Sequence, residues 1–167
     1  RIMIKNMSNK KKLIQHLIVA LEAIYQTAVS AAKRAHSTAT DKANIAENKY
    51  DTLGLEAAYL AEGHANRASE CKANLDTVKN LIVPDYTIDD TIALGALVTL
   101  VDQDKNQLFL FLAPVSGGIK FDFESRSIMV ITQSSPLGKQ LLGKYVDDEF
   151  EIGIGQHNKR YLITDVM

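Results

Sequence analysis

Apolar residues at Ile14, Leu17, Leu21, Ile24, Ala28, Ala31 and Ala35 alternate steps of three and four without a break. That spacing keeps one stripe of a helix apolar and predicts a heptad seam packed on a second helix. The seam residues shrink from Ile and Leu to Ala, so a partner helix can approach more closely toward the far end. Ser8 or Asn9 is available as the cap before Lys10-Lys11-Lys12. Arg1 does not suit an initiator whereas Met3 and Met7 do, and residues 1–6 are therefore expected to lie outside the folded part.

A second helical pattern is expected from about Asn44 to Ile82, with apolar positions at Leu53, Ala57, Leu60, Ala61, Ala65, Ala68, Cys71, Leu75, Val78 and Ile82. The register drifts once, near His64, as at an accommodated stutter. Here the residues grow from small to large, the mirror of the first helix, so an antiparallel hairpin pairs small with small and large with large. About thirty residues per arm at 1.5 Å rise give a finger roughly 45 Å tall. Its tip is the polar stretch between the helices, Asp41 to Tyr50, followed by Asp51. Gly54 and Gly63 weaken the second helix by about 1 kcal/mol each relative to Ala, and admit close helix approach. Cys71 falls on the apolar face, which predicts a buried or half-buried thiol. His64 has no second ligand at metal-binding spacing and is expected to be a packed or half-exposed histidine.

Pro84 stops the helix, and Asp85 to Gly95 reads as a linker. The period then falls to two. Residues 96–101 and 107–112 flank the turn Asp102 to Asn106 as a hairpin; residues 128–131 form another strand, and 150–154 and 161–166 form a last pair around Gln156 to Lys159. Ser135-Pro136 starts a short helix that Gly143 ends, since Pro is tolerated at the first helical position. The fold class is α+β: an antiparallel helical hairpin over residues 1–82, a linker over 83–95, and a small antiparallel sheet domain with one short helix over 96–167.

A net charge of −1 in 167 residues excludes a strongly basic nucleic-acid-coating surface, so any such contact is local. Lys33, Arg34 and His36 decorate the slim end of the first helix, either as a solvated face or as a patch that meets a phosphate backbone. One cysteine excludes an internal disulfide and any multi-cysteine zinc site, and fits a reducing cytoplasm. The apolar run Leu13 to Leu21 is broken by Gln15 and His16 and is too short to span a bilayer, so no membrane segment is expected. No nucleophile-base set, phosphate-binding glycine loop or metal-ligand cluster is present, and no independent enzyme activity is expected.

Ser135-Pro136-Leu137-Gly138-Lys139-Gln140-Leu141-Leu142-Gly143-Lys144, followed by Val146-Asp147-Asp148-Glu149-Phe150-Glu151-Ile152, closely resembles the C-terminal signature of the bacterial GreA/GreB transcript cleavage factors. Glu47-Asn48, with Tyr50 just after, resembles their tip. The resemblance runs from about Met7 to Met167. It implies an FKBP-like sheet domain that docks beside the secondary channel of RNA polymerase through Ser135, Pro136 and Leu137. It also implies a finger that enters the channel as part of a monomer and has no cofactor of its own. Tip acids of the family help hold a second Mg²⁺ at the polymerase active site, where the 3′ end of backtracked RNA is cut. That role falls on Glu47, with Asp41 or Asp51 as its companion. Mg²⁺ is a hard ion that prefers oxygen ligands, which is why carboxylates suit it. Lys33 and Arg34 become candidates for contact with nascent RNA.

The sequence departs from the family where it matters most. The family has an acid three residues before the Glu of its Glu-Asn pair, and Asn44 stands there. Asn offers a neutral carbonyl in place of a charge, which tilts the expectation toward a channel-occupying regulator with reduced or absent cleavage stimulation. The alternative is a true cleavage factor using Glu47 with Asp41 or Asp51. Asn44-Ile45-Ala46-Glu47 also fits a capping box, with Glu47 reaching back to the Asn44 amide, and the two roles are compatible. A coiled-coil interaction or chaperone-like protein, gripping a partner through apolar seam residues, is a further reading of the same hairpin.

Overall fold

The long 3.6-residue periodicity becomes two helices in the computed structural model, which describes the backbone of residues 2–41, 52–155 and 157–167. Helix α1 spans Ile2–Thr40 and α2 spans Thr52–Lys79. The chain is already helical before Ser8 and Asn9, so neither caps α1; no Gly or Pro lies in this stretch to stop the helix from starting earlier. The second helix ends three residues before the expected Ile82. The chain divides into two compact units, residues 18–76 and residues 1–17 with 77–167.

In the helical unit, Lys72 lies within electrostatic reach of Glu22, while Val29 to Thr40 share a groove with Ala61 to Ala68. The helices therefore run antiparallel. Leu21, Cys71 and Leu75 are buried. Beyond them the seam thins: among the described residues, none of α1 after Leu21 and none of α2 before Cys71 is buried. The expected places of Leu53 and Leu60 in the seam are not met, since they are 76% and 62% exposed. The partly buried positions of this stretch are Gly54, Ala57, Ala61 and Ala68, so Leu53 and Leu60 stand beside the seam and not in it. By length and composition alone, Asn9–Thr40 passes as a membrane-crossing helix, its best window averaging a hydropathy of 1.2. Much of its apolar content beyond Leu21 is alanine, and the large residues Leu13, Leu17 and Leu21 are covered by protein.

The sheet unit carries six strands: β1 (Leu97–Asp102), β2 (Gln107–Leu112), β3 (Lys120–Phe123), β4 (Arg126–Ile131), β5 (Glu149–Ile154) and β6 (His157–Val166). Helix α3 (Pro136–Leu141) lies between β4 and β5 in sequence. The order across the sheet is β3-β4-β2-β1-β6-β5. Every ladder is antiparallel except β2 with β4, which pairs Phe109 with Ile128 and Leu112 with Ile131 in parallel. A bulge between Thr99 and Leu100 shifts the β1–β6 register. Strand β3 occupies a stretch where no element is expected from the sequence, and β6 begins at His157, inside the expected Gln156 to Lys159 turn.

Alternation sorts the sheet residues onto two faces. Val98, Leu100, Leu110, Leu112 and Ile131 form one core with Leu141 of α3, Tyr161 and Ile163. The other face presents Phe111, Phe121, Phe123, Ile128 and Val130, all buried. There α1 meets the β3–β4 hairpin: the ring of His16 stands edge-on to Phe123 at 5.3 Å, and its Nδ1–H donates to the Asp122 carbonyl at 3.1 Å. Leu13 and Leu17, on either side of His16 along α1, are fully buried. Each such leucine stabilises the unit by about 2 kcal/mol. Lys10, further up the helix, donates from Nζ to the Pro84 carbonyl and lies 4.4 Å from the Tyr86 ring centroid. Burial pushes this ammonium down to about 8, against a smaller opposing effect of Asp85.

Candidate functional site

Ser135-Pro136-Leu137-Gly138 folds into a tight corner for reasons that can be assigned atom by atom. Ser135 is the N-cap of α3 in extended conformation; its Oγ accepts from Gly138 N at 3.1 Å and donates to the Thr132 carbonyl at 2.7 Å. Pro136 takes the first helical position, where its missing N–H costs nothing. Gly138 packs so tightly that a Cβ would sit 1.9 Å from the Thr132 carbonyl oxygen. After Leu142, Gly143 adopts φ 77° and donates its N–H to the Ile92 carbonyl, ending α3 where the sequence places the stop.

This corner is one wall of a cavity of about 520 Å³. Gly117 and Gly118 contribute another side, and Ile131, Ile152 and Tyr161 bring apolar surface from β4, β5 and β6. The expected contact residues Ser135, Pro136 and Leu137 all line it. Their roles differ. The Ser135 hydroxyl is committed to its own backbone, Pro136 is exposed, and Leu137 is half-buried. What the cavity can hold is an apolar group, because its lining is hydrocarbon with few polar atoms. Gly117-Gly118 reads in the sequence only as a loop, and Tyr161 lies 24 or more residues from Ser135, Pro136 and Leu137. Only the sheet pairing brings them to one cavity.

The other expected site residues lie in the helical unit or outside the described residues. Lys33 and His36 line a groove of about 730 Å³ opposite Glu62, Ala65 and Ala68, whereas Arg34 is exposed and does not line it. Asp41 is exposed just past the end of α1. Asn44, Glu47, Tyr50 and Asp51 lie outside the described residues. Among the described residues no group of three or more His, Cys, Asp or Glu side chains is arranged to hold a metal ion.

Residues 87–167 match the family described as transcription elongation factor, GreA/GreB, C-term. Transcription elongation factor GreA of Sphingopyxis alaskensis is 31% identical over 114 residues, covering 64% of this chain and 68% of that one. GreA of Rhodospirillum rubrum is 26% identical over 133 residues, covering 80% and 79%. Among solved structures, the GreA factor homolog 1 protein of Thermus thermophilus is similar over 93% of each chain, at 18% identity and a TM-score of 0.38.

Proposed function

We propose, from the premise that this chain belongs to the GreA/GreB transcription elongation factor family, that it binds RNA polymerase at the secondary channel and directs the tip of its helical hairpin toward the active site. The observation that carries this reading is the apolar cavity walled by Ser135, Pro136 and Leu137, on the segment that bears the family signature. An apolar side chain of the polymerase fills that cavity, Pro136 and Leu137 make the contact, and Ser135 holds their backbone in place. In this reading the chain regulates the polymerase's chemistry and has no enzyme activity of its own.

At the tip, Glu47 with Asp41 would supply carboxylate oxygens to a Mg²⁺ held by the polymerase, which polarises water for hydrolysis. Asn44 contributes no charge there, so the chain occupies the channel and modulates elongation with weak or no stimulation of cleavage. Lys33 and Arg34, both exposed on α1, would meet the phosphates of nascent RNA. The test uses purified bacterial polymerase stalled in a backtracked complex. Adding the chain is expected to release little 3′ RNA fragment, and Asn44→Asp to raise the release. Fragment release by the unmodified chain at a rate that Asn44→Asp does not change contradicts the role given to Asn44.

A further inference from the structure

The face of α2 that α1 leaves uncovered carries Leu55, Tyr59 and Leu60, exposed by 53%, 64% and 62%. Glu56, Tyr59, Leu60, Gly63 and His64 follow one another at helical spacing and line a single open hollow of about 610 Å³. Gly63 forms its floor, since a Cβ placed there would meet nothing within 4 Å. The hollow thus combines the Glu56 carboxylate, the Tyr59 ring and the Leu60 side chain at one end with the His64 imidazole at the other.

We infer that this hollow receives a basic side chain, arginine or lysine, from the polymerase surface that surrounds the finger. The inference rests on the reading of the chain as a channel-binding factor. The chemistry is specific: the methylene stem of such a side chain packs on Leu60, its cation pairs with the Glu56 carboxylate, and the Tyr59 ring presents its electron-rich face. Glycine at position 63, which weakens an exposed helix, keeps the space open. A second copy of this chain is the weaker occupant on area. The three exposed apolar residues offer on the order of 350 Å² per chain, so a symmetric pair would bury roughly 700 Å², below the ~1,200 Å² of a stable interface. The patch suffices as one contact of several, added to docking through the sheet unit.

The test measures dissociation of the 167-residue chain from bacterial core polymerase. Glu56→Lys, which reverses the charge, and Gly63→Leu, which fills the hollow and favours helix, are each expected to speed dissociation by about tenfold, with Asn66→Lys as an exposed control outside the hollow. Glu56→Lys and Gly63→Leu dissociating at the unmodified rate, while Leu137→Asp abolishes binding, overturns the hollow and leaves the docking reading standing. No binding by the unmodified chain overturns both. Sedimentation that shows a dimer, dissociated by Gly63→Leu, assigns the hollow to a second copy and also overturns the inference.

Discussion

Lys10 has 3% of its surface exposed, and its charge is met by a carbonyl and an aromatic face instead of water. Because burial lowers its pKa to about 8, the unfolded chain, near the ordinary value of 10.5, holds more protons than the folded one between these pH values. Stability must then rise with pH through that window, and the penalty of the buried cation is fully present below pH 8. Lys10→Met is expected to stabilise the protein by about 1 kcal/mol at pH 7, with the advantage shrinking toward pH 10. Denaturant melts of both proteins across this range check the sign, and a constant gap would contradict it. Nothing in Lys10-Lys11-Lys12 distinguishes the first lysine from the others, because its burial depends on Pro84 and Tyr86, more than seventy residues away. Ser135, Pro136 and Gly143 were legible because a cap, a first-turn proline and a left-handed stop are local devices. Gly138 was not, since its need for glycine is set by the Thr132 carbonyl pressed against it.

At the level of elements, the turn between β3 and β4 shows why a strand went unread. Glu124 and Ser125 hold φ of 49° and 61°, the two positive values of a tight hairpin turn, without the Asn or Gly that announces one. The alternating Lys120-Phe121-Asp122-Phe123 therefore carries no hairpin signal of its own, although Phe121 and Phe123 are buried. Glu124→Asn with Ser125→Gly is expected to stabilise the sheet unit by about 1 kcal/mol, read as a higher denaturant midpoint with unchanged slope. No gain would mean that interactions of Glu124 or Ser125 outweigh the strain of the turn. In the helices, periodicity found the seam where it is made of large residues, at Leu17, Leu21, Cys71, Leu75 and Val78. It failed at Leu53 and Leu60 because the partly buried positions are Gly54, Ala57, Ala61 and Ala68, a register that the small residues mark and the two leucines do not.

For the whole molecule, the two units divide the work that the proposed function requires. The sheet unit has a core on both faces and a rigid corner at Ser135 to Gly138, suited to a fixed docking point. The helical unit buries little between Leu21 and Cys71, and its exposed groove and hollow are surfaces for a partner to cover. The order of units and the signature on α3 were readable from the chain; the cavity was not, because strands distant in sequence supply most of its walls. In the proposed function this chain and GreA compete for one site on RNA polymerase. Competition on purified bacterial polymerase tests it most directly, with labelled chain bound first and unlabelled GreA added in increasing amounts. The account predicts one chain bound per polymerase and complete displacement by GreA; failure to bind, or simultaneous binding of both, would contradict it.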